Sequence, residues 1–245
     1  MRIDGCVALV TGGNRGLGRA YVQALLAAGA AKIYVAARNL AAFADARLHS
    51  VRLDVTSPTE RAAAVEQCAD VTLLINNAGI MLACPMLAER SEEALRREME
   101  VNVFGVLAMI GAFAPILAHN GGGAIVNMLS VVSWFVNPFN ATYCASKHAA
   151  LAVTDAARIQ LKKQGTHVLG VYAGFIDTDM AARVNAPKTP PQHVAGSTLA
   201  GLRSGENHVV VGQEARAMRA ALNVDPASIE MKMQKAWQSS ASPFG

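Results

Sequence analysis

The chain has 245 residues, 52% hydrophobic and 16% charged, which excludes a disordered polypeptide and fits one large domain spanning residues 1–245. At this length roughly 70–75% of the unfolded chain's surface is buried on folding, so neither disulfides nor structural metals are required. The net charge is only +4, and the bases lie among acids (Glu89, Arg90, Glu92, Glu93, Arg96, Arg97, Glu98), a solvated helix face rather than a phosphate-tracking stripe, so nucleic acid is not an expected partner.

Residues 7–11 form a short apolar run that ends in a glycine turn and leads into an Ala/Leu-rich segment to residue 28, a strand followed by a helix. Further strands are expected at 32–37, 51–53 and 71–76, each short enough to be buried on both faces, as in a parallel sheet. Ser57-Pro58-Thr59-Glu60 has capping-box spacing and starts a helix between the last two. A helix over 91–118, a strand over 124–129, a helix over 142–163 and a strand over 167–173 continue the alternation. Thr189-Pro190-Pro191-Gln192 repeats the capping-box pattern before a helix to about 204, and 208–211 reads as a last strand; only the final ten or so residues read as a loose tail. Seven strands alternating with helices imply an α/β fold: a Rossmann-type doubly wound parallel sheet with helices on both faces and ligands at the carboxyl ends of its strands.

The N-terminal apolar run is too short for a signal-peptide core. The most membrane-like stretch, 101–117, contains Asn102, Gly105, Gly111 and Pro115 and falls short of about 20 apolar residues, so a helix buried between subunits is expected instead of a membrane span. Cys6, Cys68, Cys84 and Cys144 form no C-x-x-C pair, which suits a reducing cytoplasm. The histidines show no paired-ligand spacing, so no metal is expected.

Thr11-Gly12-Gly13-Asn14-Arg15-Gly16-Leu17-Gly18 follows a strand and opens a helix, the context a pyrophosphate-binding turn requires. In dinucleotide folds an acid near the end of the second strand holds the adenosine ribose of NAD, whereas arginine accommodates a 2′-phosphate. Here Arg38 stands at that place, with no acid, and Arg15 in the turn offers a second planar fork to phosphate oxygens. NADP(H) is therefore expected over NAD(H). Tyr143 and Lys147 share one helical face a turn apart; an ammonium beside a phenol favours the phenolate, and three units of depression would correspond to about 4 kcal/mol. Ser130 ends the strand before them, where substrates of such sheets bind.

With the Thr-Gly-x-x-x-Gly-x-Gly turn, Asn76-Asn77-Ala78-Gly79 after the fourth strand, Asn102 in the next helix, Ser130 and the Tyr143-Lys147 pair, the sequence from about residue 7 to 211 resembles the short-chain dehydrogenase/reductase family. The resemblance implies Tyr143 as general acid/base, Lys147 as the lysine that lowers its pKa and bonds the nicotinamide ribose, Ser130 as the hydroxyl that holds the substrate oxygen, and Asn102 as the anchor of a water relay. It implies cofactor contacts from Gly12, Asn14, Arg15, Gly16, Leu17, Gly18, Arg38, Asp54, Val55, Asn77, Ala78, Gly79, Gly174, Ile176 and Thr178, with Thr11 and Asn76 tying the first and fourth strands together. The implied activity is reversible, NADPH-dependent reduction of a carbonyl to an alcohol. A cofactor-sensing protein and a non-redox lyase or epimerase are the alternatives on the same fold.

Three departures stand out. Ala173 replaces the proline usual before Gly174, the span 38–51 is short for a helical crossover, and Ser133 stands where its spacing to Tyr143 is wrong for a second active-site serine. Val131, Val132, Trp134, Phe135, Phe139, Met81 and Met180 are candidates for an apolar substrate wall, Val132 and Trp134 foremost, and the lid between Thr178 and Pro190 is short, which implies a roomy mouth. Small residues at 145, 149, 152 and 156, with the apolar helix from 101, imply a homodimer or homotetramer.

Overall fold

Short apolar runs with no polar face become strands covered on both sides. The computed structural model describes residues 1–244, with strands β1 (Val7–Thr11), β2 (Lys32–Ala37), β3 (Leu48–Arg52), β4 (Leu73–Asn76), β5 (Ala124–Met128), β6 (His167–Ala173) and β7 (His208–Val211). They form one parallel sheet in the order β3-β2-β1-β4-β5-β6-β7. The helices are α1 (Gly16–Ala27), α2 (Pro58–Gln67), α3 (Ser91–Met99), α4 (Val106–His119), α5 (Ala141–Gln160), α6 (Pro191–Ser204), α7 (Gln213–Val224) and α8 (Pro226–Gln238).

The two-residue period of the strands divides the core between the faces of the sheet. Ala8, Val10, Leu73 and Ile75 pack with Tyr21 and Leu25 of α1 and Leu199 and Leu202 of α6. Leu9 and Leu74 point the other way, onto Ala64 of α2, Met109, Phe113 and Leu117 of α4, and Ala157 of α5. Strand order reverses between β1 and β4, and that crevice is where a doubly wound sheet holds its ligand.

Several local expectations are corrected. β3 begins three residues earlier than its apolar core because Ile33 to Ala37 pair with Leu48 to Arg52 in register; the span between β2 and β3 contains no helix, as its length implied. Ser57 does cap α2, accepting from the Glu60 amide at 3.3 Å, but the Glu60 carboxylate turns to the Asp54 amide and Arg52 instead of closing the box. α6 starts without a side-chain cap, because Thr189 pairs with Ile176 in an isolated parallel bridge. Asn76 ties β4 to β5 through Asn127 at 2.8 Å, not to β1.

The C-terminal segment is ordered rather than loose. α8 runs to Gln238, Trp237 packs on Phe139, Phe244 meets Phe175 edge-on, and the Pro243 carbonyl accepts from the Asn185 amide at 2.9 Å. Helix α3, a π-helical turn at Glu100–Gly105 and α4 are continuous over Ser91–His119. By length and composition this helix is long and apolar enough to cross a membrane, more than the sequence reading allowed, yet one face of it packs into the sheet core.

The glycine turn tests this architecture. A Cβ on Gly18 would lie 2.0 Å from the Gly12 carbonyl oxygen, whereas one on Gly111 meets nothing within 4 Å. Gly18→Ala is expected to lower unfolding free energy by about 1–3 kcal/mol, and Gly111→Ala to raise it by about 0.5–1 kcal/mol, both read from urea unfolding midpoints.

Candidate active site

The site is assembled from the carboxyl ends of β1 to β6. Gly12 and Gly16 adopt φ of +64° and +50°, and Gly18 approaches the Gly12 carbonyl too closely for any side chain, so the chain doubles back tightly from β1 into α1. Leu17 is buried in the core beneath. The first turn of α1 contains no acidic residue, and no side chain caps it, leaving free amides at the positive helix end where a diphosphate fits. Arg15 forms an exposed contact with Asp179 of the lid at 3.4 Å, one that adds little stability and leaves its guanidinium accessible.

The Thr11 hydroxyl accepts from the amides of Asn77 and Ala78, each at 3.0 Å, and donates to the Ile75 carbonyl. The Asn77 carboxamide returns to the Thr11 carbonyl at 2.9 Å. Thus β1 and the segment after β4 are locked together, and Gly79 lies close under the Asn102 carboxamide oxygen. Asn14 reaches the Asn39 carbonyl at 3.4 Å, next to the exposed Arg38. Asp54 accepts from the Thr56 amide and hydroxyl; the Thr56 hydroxyl, with a contribution from the Arg38 charge, holds its carboxyl below the usual range. Val55 is buried against Gly105. Beyond β6, Gly174 opens onto free space, Ile176 pairs with Thr189, and Thr178 packs against Gly16. Leu17 and Val55 are buried, whereas Arg15 and Arg38 are exposed beside the turn.

The catalytic candidates meet on α5 and its neighbours. Asn102 sits in the π-helical turn, the irregularity that turns its side chain inward. Its carboxamide accepts from the Ile80 amide and donates to the Ile80 carbonyl, both at 2.9 Å, and donates to Ser146 at 3.0 Å. Ser130 lies two residues beyond β5, not at its end, and caps the short helical turn that follows; its hydroxyl accepts from the Val132 amide and donates to the Ala173 carbonyl. Ser133 is buried and closes a small capping box on the Ser130 amide, which removes it from the site.

Lys147 is buried. Its ammonium donates to the Met128 carbonyl at 2.8 Å and stands over the Tyr143 ring, 5.6 Å from its centroid. Burial brings its pKa down to about 8, opposed by the negative charge of Glu98. Tyr143 departs from the expected depression: burial raises its phenol above the ordinary value, the charges of Cys144 and Glu98 add to that, and hydrogen bonding to Ser130 works in the opposite direction. Burial, the main cause, thus favours the neutral phenol over the phenolate, and the Lys147 ammonium donates to the Met128 carbonyl.

A cleft of about 470 Å³ opens between the segment after β4 and the lid, lined by Met81, Leu82, Phe139, Met180, Val184 and Phe244 among others. Met81, Phe139 and Met180, three of the candidates for an apolar wall, all line this cleft. Val132 is buried, and Trp134 stacks on Tyr172 at 4.2 Å under the Arg219 guanidinium, so the structure takes neither into the cleft wall. Phe244, from the segment expected to be loose, contributes instead. Glu98, grouped by sequence with a solvated face, is fully buried. Its place one turn before Asn102 was the available signal. Among the described residues no cluster of metal-ligating side chains occurs.

A base whose protonation is disfavoured in the fold costs stability wherever the unfolded chain is protonated. For Lys147 that cost is complete below about pH 8 and disappears as pH rises toward 10.5, the value of a free lysine. Lys147→Met is expected to raise the unfolding free energy of the cofactor-free protein by about 1–3 kcal/mol at neutral pH, with a gain that shrinks across that alkaline window. Urea unfolding at a series of pH values checks both the sign and the window.

The family model described as short chain dehydrogenase matches residues 6–189. A galactitol 2-dehydrogenase from Agrobacterium fabrum is 32% identical over 87% of this chain and 84% of its own length. A 3-beta-hydroxysteroid dehydrogenase from Comamonas testosteroni is 33% identical, with 91% and 98% covered. A crystal structure of a short chain dehydrogenase from Burkholderia cenocepacia in complex with NADP superposes with a TM-score of 0.92 at 40% identity, covering 95% of this chain and 99% of that one.

Proposed function

The chain belongs to the short-chain dehydrogenase/reductase family of oxidoreductases, and we propose that within it the protein is an NADPH-dependent reductase of apolar ketones or aldehydes, reversible toward the alcohol. The observation that carries the reading is the gathering of the Tyr143 ring, the Lys147 ammonium 5.6 Å from its centroid and the Ser130 hydroxyl just beyond β5. The backbone amides of the glycine turn would hold the pyrophosphate, Asp54 and Val55 the adenine, and the segments 77–79 and 174–178 the nicotinamide end. Arg38, exposed and without an ion-pair partner among the described residues, together with Arg15, supports NADP(H) over NAD(H).

When bound, the cofactor supplies the hydride to the carbonyl carbon. Ser130 donates a hydrogen bond to the carbonyl oxygen as charge develops there. Tyr143 gives its proton to that oxygen, and Lys147 stands by as the cation beside the phenolate that results. The neutral phenol has its proton in place through neutral pH, as this direction requires. The reverse reaction needs the phenolate, and its rate is expected to climb with pH. Asn102 holds Ile80 and Ser146 in place around this pair.

The apolar lining of the cleft supports a hydrophobic or aromatic substrate, and steroid chemistry in one relative's name agrees with it. Exposed Phe104 in the π-helical turn, Leu107 on α4 and Ile159 on α5 support self-association of this chain through those helices, as a homodimer or homotetramer.

The test is cofactor consumption with a panel of aliphatic, aromatic and bicyclic ketones and aldehydes. NADPH is expected to exceed NADH in kcat/KM by at least about tenfold, and Arg38→Asp to remove most of that difference, the loss of a charge-assisted contact to the 2′-phosphate. Tight NADPH binding without turnover of any carbonyl would overturn the reading.

A further inference from the structure

The inner wall of the cleft is not a strand, yet it is held with a strand's regularity. The Ile80 amide and carbonyl bond to Asn102. The Leu82 amide donates to the Glu98 carboxylate at 2.7 Å. The Cys84 carbonyl accepts from the amide and hydroxyl of Thr142 at the start of α5. Every second residue is thus tied to the helix pair, while Met81, Ala83 and Pro85 between them, with Leu82, line the cleft. Ala83 has φ of +50°, a strained conformation for alanine that persists only where neighbouring contacts impose it.

Glu98 is the one charged rung. It is fully buried, and its second carboxylate oxygen has no hydrogen-bond partner, a costly arrangement for a group with no more than a latching role. The two helices run in matched register beside it: Asn102 bonds Ser146, and one turn earlier Glu98 faces Thr142. The titratable groups packed around it are Tyr143, Cys144 and Lys147 on α5 and Cys84 at the end of the wall; Arg96 and Arg97 on its own helix are exposed. Lys147 is the only cation among those buried neighbours.

We propose that Glu98 is a positioning residue that hangs the substrate wall 80–85 on the helix pair and couples that wall electrostatically to the Lys147 ammonium one turn along α5. Burial raises the Glu98 carboxyl above its usual range, the Leu82 amide and then the Thr142 hydroxyl work against that, and the Lys147 charge adds to them; reciprocally, the Glu98 anion favours the ammonium form of Lys147. The carboxylate therefore acts twice, as an acceptor for the wall and as the counter-charge of the catalytic lysine. The inference rests on the reductase reading for its effect on substrate, but not for its effect on Lys147.

Two variants separate the roles. Glu98→Gln keeps an acceptor oxygen for the Leu82 amide and removes the charge; Glu98→Leu removes both. The protonation midpoint of Lys147, followed by NMR on its Cε and assigned by its loss in Lys147→Met, is expected near 8 in the parent and lower by at least about half a pH unit in Glu98→Gln. An unmoved midpoint would overturn the coupling. Glu98→Gln is expected to keep KM for apolar ketones within about twofold, and Glu98→Leu to raise it about tenfold with kcat changed less, the signature of lost positioning. A parental KM in Glu98→Leu would overturn the latch, and if that variant does not fold, the Lys147 midpoint in Glu98→Gln decides the proposal. A parent that turns over no carbonyl would sink the reductase reading alone, since the NMR midpoint does not depend on turnover.

Discussion

One buried hydroxyl fixes the geometry on which the site depends. In a doubly wound sheet the ligand crevice opens where strand order reverses, and nothing in the backbone ladder holds the two diverging segments together beyond the last strand bond. Here the Thr11 hydroxyl does so, accepting from two successive amides after β4 and donating to the Ile75 carbonyl. An amide left without an acceptor away from water costs about 1–3 kcal/mol, which favours this path for the half-buried segment 77–79. That path delivers Gly79 under Asn102, and Asn102 in turn sets Ile80 and Ser146. The glycine turn, the segment 77–85 and the turn of α5 that carries Tyr143 and Lys147 are thereby tied into one network.

That network is polar and buried, which makes it a source of specificity and not of stability. Lys147 and Glu98 are both charged groups taken out of water, and each is incompletely compensated, the lysine by one carbonyl and the glutamate by one amide and one unbonded oxygen. A fold selected for stability alone would place apolar side chains there. Their presence beside a phenol whose neutral form burial favours is the pattern expected where titratable groups serve chemistry, with environments that push their pKa values in opposite directions.

Much of this was legible in the sequence, for identifiable reasons. Strands buried on both faces are unbroken apolar runs, so the ends of β1, β2, β6 and β7 could be read closely, and a glycine turn between a strand and a helix has few other uses. What escaped was governed by tertiary contact. α7 and α8 bury only Ala215 and Ile229 fully between them, so their apolar period is thin; Asp225-Pro226, which caps α8 through the Ser228 amide, was the local signal. Trp134 read as pocket because aromatics follow Ser130, but Tyr172 and Arg219 claim both its faces. Glu98 read as surface because its sequence neighbours are charged, and only the helix register, one turn before Asn102, marks it as facing inward. The direction of the Tyr143 shift also lay beyond sequence, since it depends first on how deeply the fold buries the phenol.

The central claim is that Tyr143 delivers the proton while hydride passes from a nicotinamide to a carbonyl carbon. The most direct measurement uses NADPH carrying deuterium at the transferable position of the nicotinamide, with an apolar ketone, and compares the parent with Tyr143→Phe. The account predicts deuterium on the carbinol carbon of the alcohol formed by the parent, with turnover reduced by at least about a hundredfold in the variant and NADPH affinity retained. Deuterium absent from the product, or a Tyr143→Phe protein that reduces the ketone at the parental rate, would contradict it.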